Sequence, residues 1–156
     1  DNKHKLLKYA IYYLSKYASS KKNLEYILKK KIRRLTDFKK SRFELYQEIK
    51  PILIKLENLK LVNDVIYTES KINSLISQVK SKNYIKRYLI SKGVDYKLVD
   101  EQISLFYKNN QNLEKENALK FARKKNLLND NNDYPKRLSK MVRAGFSYEI
   151  IKKILN

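Results

Sequence analysis

Catalysis needs side chains that can attack, shuttle protons or hold a metal, and this 156-residue chain is poor in all three. It has no Cys, which removes thiolate nucleophiles, thiolate metal sites and disulfides together. His4 is the single imidazole, so a His-based triad or a multi-His metal site is excluded as well. Two glycines, Gly93 and Gly145, cannot build the loop whose amides cradle a nucleotide's phosphates. The carboxylate pairs that a metal-dependent nuclease would need are Glu44 with Glu48, Asp100 with Glu101 and Glu114 with Glu116. Each lies beside Lys on a helical stretch and is expected to be a solvated ion-pairing group. Serines without a His or Lys partner are expected to cap helices. The expectation is no catalytic residue, no metal and no cofactor.

The basic residues carry the informative chemistry. There are 36 Lys and Arg against 16 Asp and Glu, a net charge of +20, which points to a polyanionic partner. A composition rich in Lys, Asn, Ile and Tyr is also what A/T-rich coding produces, and supplies a bland origin for part of the excess. The charges cluster, however. Residues 21–42 hold ten Lys or Arg against Glu25 and Asp37, a local excess of +8. Lys80, Lys82, Lys86, Arg87 and Lys92 form a second group, and Lys136, Arg137, Lys140 and Arg143 a third. A stripe of such groups displaces counterions along a phosphate chain, which gives largely sequence-independent, salt-sensitive affinity. Among the 13 Tyr, Tyr9, Tyr13, Tyr88, Tyr96 and Tyr148 fall at or beside apolar spacings and are expected in cores or contacts. Tyr67 is expected inside, whereas Tyr12, Tyr84 and Tyr134 are expected at the surface, where rings could stack on bases.

The elements that must hold these groups are helices, because two Gly and two Pro are too few for a turn-rich β fold. Leu7, Ala10, Ile11, Leu14 and Ala18 space a helix over 5–18, and Ser19 and Ser20 offer an N-cap to a second over 21–35 with Leu24, Ile27, Leu28 and Ile32 inward. Residues 36–42 are expected to form a loop. A third helix spans 43–59, its stronger part starting near Lys50 because Pro51 suits a first turn, with Ile52, Leu53, Leu56 and Leu59 inward. Asp64 is expected to cap a helix carrying Ile72, Leu75, Ile76 and Val79, and Ser81 one carrying Ile85, Tyr88 and Leu89 that stops at Gly93. Asp95 is expected to cap the next, through Leu98, Val99, Ile103 and Phe106. After a polar linker at 109–112, helices follow over 113–127, 135–144 and 147–155, with separators at 129–133 and at Gly145-Phe146.

The order repeats. Gly93-Val94-Asp95-Tyr96-Lys97-Leu98-Val99 matches Gly145-Phe146-Ser147-Tyr148-Glu149-Ile150-Ile151, placing both glycines at equivalent positions. Ser20-Lys21-Lys22-Asn23-Leu24 with Leu28 and Lys31 matches Ser81-Lys82-Asn83-Tyr84-Ile85 with Leu89 and Lys92. The expected fold is all-α: three tandem three-helix repeats over 1–60, 61–109 and 110–156, with a basic extension at 33–42, stacked into an elongated, curved array. No stretch approaches a membrane span, and residues 1–8 lack a signal peptide's apolar segment, so a cytoplasmic location is expected.

Together these features resemble the bacterial regulatory protein RecX family. The resemblance rests on Ala10-Ile11 with Leu14 and Ser20, on Leu61-Val62-Asn63-Asp64, on Lys92-Gly93-Val94-Asp95 and on Ala144-Gly145-Phe146-Ser147, in that order over nearly the whole chain. Departures are Thr68 where the family often has a small residue after the aromatic, Ile32 where a glycine would close the first repeat, and the 33–42 extension. The resemblance implies a non-enzymatic modulator of RecA recombinase in DNA repair, homologous recombination and the SOS response. It would bind RecA filaments on single-stranded DNA, with double-stranded DNA as a further candidate partner, and suppress ATP hydrolysis, strand exchange and filament growth. A monomer is expected. The contact candidates are Lys29, Lys30, Arg33 and Arg34 in the first repeat, Lys86, Arg87 and Lys92 in the second, and Lys136, Arg137, Lys140 and Arg143 in the third. The competing expectation is a general DNA-binding protein of helix-turn-helix-like modules.

Overall fold

A computed structural model describes residues 1–129 and 133–155. Every regular element among them is an α-helix: α1 (Asn2–Lys16), α2 (Lys21–Leu35), α3 (Lys39–Asn58), α4 (Asp64–Ser77), α5 (Lys82–Ser91), α6 (Tyr96–Lys108), α7 (Leu113–Lys124), α8 (Tyr134–Arg143) and α9 (Tyr148–Ile154). Of the expected separator at 129–133, residues 130–132 lie outside the described residues.

The chain packs as two compact units, Asp1–Tyr67 with Lys92–Val94, and Thr68–Ser91 with Asp95–Asn156. In the first unit α1, α2 and α3 pack on one another. Their core joins Leu6 and Ala10 of α1, Leu24, Leu28 and Ile32 of α2, and Leu45, Ile49, Ile52 and Leu56 of α3, closed by Val62. Leu24, Leu28 and Ile32 are wholly buried and contribute about 1.5–3 kcal/mol each against leaving them in water. In the second unit α5 packs on α6, burying Ile85 and Leu89 with Val99 and Ile103. There α7 and α8 both pack on α9, around Ala118, Ala122, Leu127, Met141, Phe146 and Ile151.

Several local expectations change. On α1 the inward phase is Leu6 and Ala10 with Tyr13 and Leu14 behind them, and Ile11 and Ala18 face solvent. The loop before α3 is only residues 36–38, because Arg42 folds back over it. Its Nε donates to the Thr36 carbonyl at 2.7 Å and its guanidinium to the Arg33 carbonyl at 3.2 Å and to Asp37 at 3.3 Å. The basic extension therefore satisfies the carbonyl end of α2. Pro51 does not open a helix but lies inside α3. Pro51 and Gln47, whose carbonyl loses a donor, are both exposed residues, so the missing bond falls on the solvent side of the helix. Leu59 lies past the end of α3 and is 56% exposed.

Helix entry is also redistributed. Asn63, not Asp64, caps α4, its Oδ1 accepting the Val65 and Ile66 amides at 2.9 and 3.1 Å. Asp64 instead accepts the Lys21 amide at 2.9 Å, where the positive end of α2 favours a carboxylate. Asp95 occupies the position before α6 without a side-chain cap bond. Ser20, Ser81 and Ser147 cap α2, α5 and α9 as expected, accepting the amides of Asn23, Tyr84 and Ile150.

Helix exits explain why only two positions are glycine. At the ends of α3, α4 and α7, paired backbone bonds close a Schellman turn around Lys60, Val79 and Asn126, all at positive φ. Positive φ alone thus does not require glycine here. A Cβ on Gly93 (φ +80°), however, would collide with Cβ of Lys22, and one on Gly145 (φ +98°) with Oγ of Ser81. Both glycines are needed because another helix entry sits against them.

Candidate polyanion-binding surface

The close approach at Gly145 builds one side of a cleft in the second unit. Ser81 Oγ donates to the Ala144 carbonyl at 2.7 Å, and Asn83 Nδ2 donates to the Gly145 carbonyl at 3.0 Å, which ties the entry of α5 to the exit of α8. Glu114 of α7 accepts the Lys82 amide at 3.0 Å, which brings in the third element. Between them lies a cavity of about 500 Å³ lined by Gln78, Val79, Lys80, Tyr84, Phe121, Lys124, Lys125, Lys140, Arg143 and Ala144. Five of these are cationic and none is acidic. A second cavity of about 360 Å³ shares Lys125 and Lys140 and adds Lys136 and Asp133.

The electrostatics separate the candidate residues. Lys140 and Arg143 come together in the cleft, with Lys136 beside them in the second cavity. Among the described residues, no carboxylate makes an ion pair with any of the cleft's five cations. Like charges gathered with Asp133 alone as a carboxylate among the described residues of the two linings raise the local positive potential and draw anions. Lys86 differs: its ammonium is 2.8 Å from Asp100 and lies over the Tyr96 ring at 5.1 Å. That hydrogen bond raises the Lys86 pKa and lowers that of Asp100. Arg137 corrects the expectation outright. It is 4% exposed, donates to the Leu127 carbonyl at 3.1 Å and packs on Tyr134, so it secures the α7 exit from within the second unit. Arg87 is exposed, its Nε directed to the Asn83 carbonyl at 3.5 Å.

In the first unit, Lys29, Lys30, Arg33 and Arg34 all lie exposed on α2. Lys29 pairs with Glu25 at 3.1 Å, Lys30 lies over Tyr26 at 5.3 Å, and Arg34 donates to the Tyr9 hydroxyl at 3.3 Å. The Lys92 carbonyl accepts the Ser20 hydroxyl. Tyr12, Tyr84 and Tyr134 are surface rings as expected and Tyr67 is buried. Tyr96 and Tyr148, expected in contacts, are 60% and 56% exposed, each beneath a lysine, Lys86 and Lys152.

Sequence reasoning left Lys124 and Lys125 out of the site. They follow Arg123 as a basic run at the end of α7, a visible signal, but nothing in the repeat pattern connects them to Lys140. The carboxylate pairs form no metal cluster: among the described residues no three acidic or His side chains converge. Glu48 pairs with Lys3 at 3.1 Å and Asp100 with Lys86. Among those residues, too, no helix is long and apolar enough to cross a membrane.

No family model matches the chain. It is 30% identical to the regulatory protein RecX of Myxococcus xanthus over 155 residues, covering 94% of this chain and 82% of that protein. The chain belongs to the RecX family. RecX of Clostridioides difficile is 31% identical over 113 residues, 69% of this chain and 52% of that protein. The crystal structure of RecX from Lactobacillus salivarius superposes with a TM-score of 0.72 at 28% identity, covering 99% of this chain and 94% of that one. A second RecX crystal structure gives a TM-score of 0.73 at 23% identity, over 99% and 73% of the two chains, and shows the shared all-helical fold. The RecX relatives are regulatory proteins by name, and regulation is the role this membership brings.

Proposed function

We propose that this chain is a non-enzymatic regulator of RecA recombinase, which binds RecA filaments on single-stranded DNA and inhibits ATP hydrolysis, strand exchange and filament growth. The observation that carries this reading is the match to a RecX regulatory protein over 94% of the chain. The cationic surfaces supply a physical means. Exposed Lys and Arg can bind phosphates of the filament's strand or acidic patches of its protein, with many weak contacts summing to a strong one. The contact set is Lys29, Lys30, Arg33 and Arg34 on α2, Arg87 and the half-buried Lys92, and Lys136, Lys140 and Arg143 on α8. Arg137 leaves the set because it is buried, and Lys86 because Asp100 already matches its charge. The three-repeat reading of 1–60, 61–109 and 110–156 belongs to the same proposal, as does action by a monomer in the cytoplasm.

The test is a titration of the protein into RecA on single-stranded DNA, following ATP hydrolysis, with binding to bare single- and double-stranded DNA as control. Concentration-dependent loss of hydrolysis is expected. Unchanged hydrolysis sinks the reading, and tight, base-selective binding to bare DNA without any effect on RecA favours the general DNA-binding alternative.

A further inference from the structure

We propose that the 500 Å³ cleft of the second unit is a binding site for a free nucleoside polyphosphate, a ligand separate from any filament. Its size falls within the usual range of small-molecule sites, roughly 300–1,000 Å³. The charge argues for a compact polyphosphate over an extended strand. Five cations converge on one cavity, with no acidic neighbour among the described residues of its lining. A nucleoside triphosphate brings about four negative charges at neutral pH, because the terminal phosphate's last proton leaves near pH 6. A strand crossing the same cavity presents only one charge per phosphodiester and would leave most of the cations unmatched.

The wall also has an apolar part. The Tyr84 ring, 37% exposed with the Lys80 ammonium 4.7 Å from its centroid, and the Phe121 ring, held against Phe146 at 5.6 Å between centroids, line the same cavity. A planar heterocycle can pack there once the Lys80 ammonium turns from the ring to a phosphate, while the other cations meet the remaining phosphates. The chain has no glycine-rich loop, so side-chain ammonium and guanidinium groups hold the phosphates, without backbone amides. Held this way, binding is strongly weakened by salt.

The experiment uses the full chain without RecA, so its failure leaves the filament reading untouched. Binding of a fluorescent ATP analogue is followed by anisotropy at low salt, with unlabelled ATP, tripolyphosphate, adenosine and a short oligothymidylate as competitors. ATP is expected to displace the probe best, tripolyphosphate several-fold less well, and adenosine not measurably. The Lys124→Gln/Lys125→Gln variant is expected to lose about tenfold in ATP affinity, as truncated charge-assisted contacts predict. Tyr84→Ala should weaken ATP several-fold while leaving tripolyphosphate unchanged. Lys86→Gln should bind as the parent does. Circular dichroism confirms that each variant keeps its helices. Absence of ATP binding, equal competition by tripolyphosphate, or displacement by oligothymidylate at lower phosphate concentration than by ATP overturns the proposal.

Discussion

Ser81 Oγ donates to the Ala144 carbonyl at 2.7 Å while accepting the Tyr84 amide at 3.1 Å. One wholly buried hydroxyl thus caps the start of α5 and satisfies the end of α8. Ser81→Ala removes both bonds. It is expected to lower unfolding stability by about 2 kcal/mol, the sum of a lost N-cap and a carbonyl deprived of its donor. Urea denaturation checks this, and a loss below the usual single-cap cost would mean that the α8 contact adds nothing.

Gly145→Ala and Lys60→Gly should move stability in opposite directions. Alanine at Gly145 takes a φ of +98° and drives its Cβ into Ser81 Oγ, so a loss of about 2 kcal/mol or more is expected. Lys60 is an exposed L-residue at φ 60°, and glycine there relieves the left-handed penalty by slightly more than it adds in chain entropy. A gain of about 0.5 kcal/mol is expected, read from the same denaturation midpoints. A gain from Gly145→Ala would refute the close approach.

Thr68 is wholly buried, and its Oγ1 has no hydrogen-bond partner among the described residues. The methyl packs while the hydroxyl was desolvated without compensation. Thr68→Val keeps the shape and removes the orphan, so stability should rise by about 1 kcal/mol. Thermal unfolding measures it; a destabilised valine variant would show that the hydroxyl is satisfied in solution.

Glu114 is partly buried, and burial pushes its pKa above the ordinary 4.5, although the Lys82 amide opposes the shift. Between 4.5 and the raised value the unfolded chain has already lost the proton that the folded chain keeps. Stability therefore falls as pH rises through that window, and nothing is lost below it. Glu114→Gln keeps an oxygen for the Lys82 amide without the buried charge. The variant should be the more stable protein at pH 7, and the two should converge below the ordinary carboxylate value. Denaturation midpoints across pH decide; a less stable glutamine variant at pH 7 would mean that the charged bond to Lys82 outweighs desolvation.

Helix identity was legible because apolar spacing in this chain is regular and serines mark the entries of α2, α5 and α9. The equivalence of Gly93 and Gly145 was legible for a deeper reason: close packing admits no Cβ at either place. Exits were harder. Lys60 and Val79 close their turns with side chains that carry no stop signal, Asn126, a common left-handed stop, falls inside the helix expected over 113–127, and Pro51 looks like a helix start although its exposed face lets α3 run through it. The cleft was only half visible. Lys140 and Arg143 announced themselves as a basic helix face, but Lys124 and Lys125 join them through the packing of α7 and α8 on α9, a non-local contact. Arg137 shows the converse, since spacing cannot separate an outward cation from one turned onto a buried carbonyl.

That separation yields the sharpest test of the filament reading. Lys86 and Arg143 lie in the same unit and carry the same charge, but Lys86 is matched by Asp100 at 2.8 Å whereas Arg143 lines a cleft with no carboxylate among its described residues. If matched charge contributes little to capturing a polyanion, Lys86→Gln should change the concentration needed to inhibit RecA ATP hydrolysis by less than about twofold. Lys140→Glu with Arg143→Glu reverses two unmatched charges and should raise that concentration by about tenfold or more, with a shallower salt dependence. Equal losses from both variants would show that net charge alone, and not the arrangement in the cleft, drives binding. No loss from the double reversal would remove α8 from the filament contact.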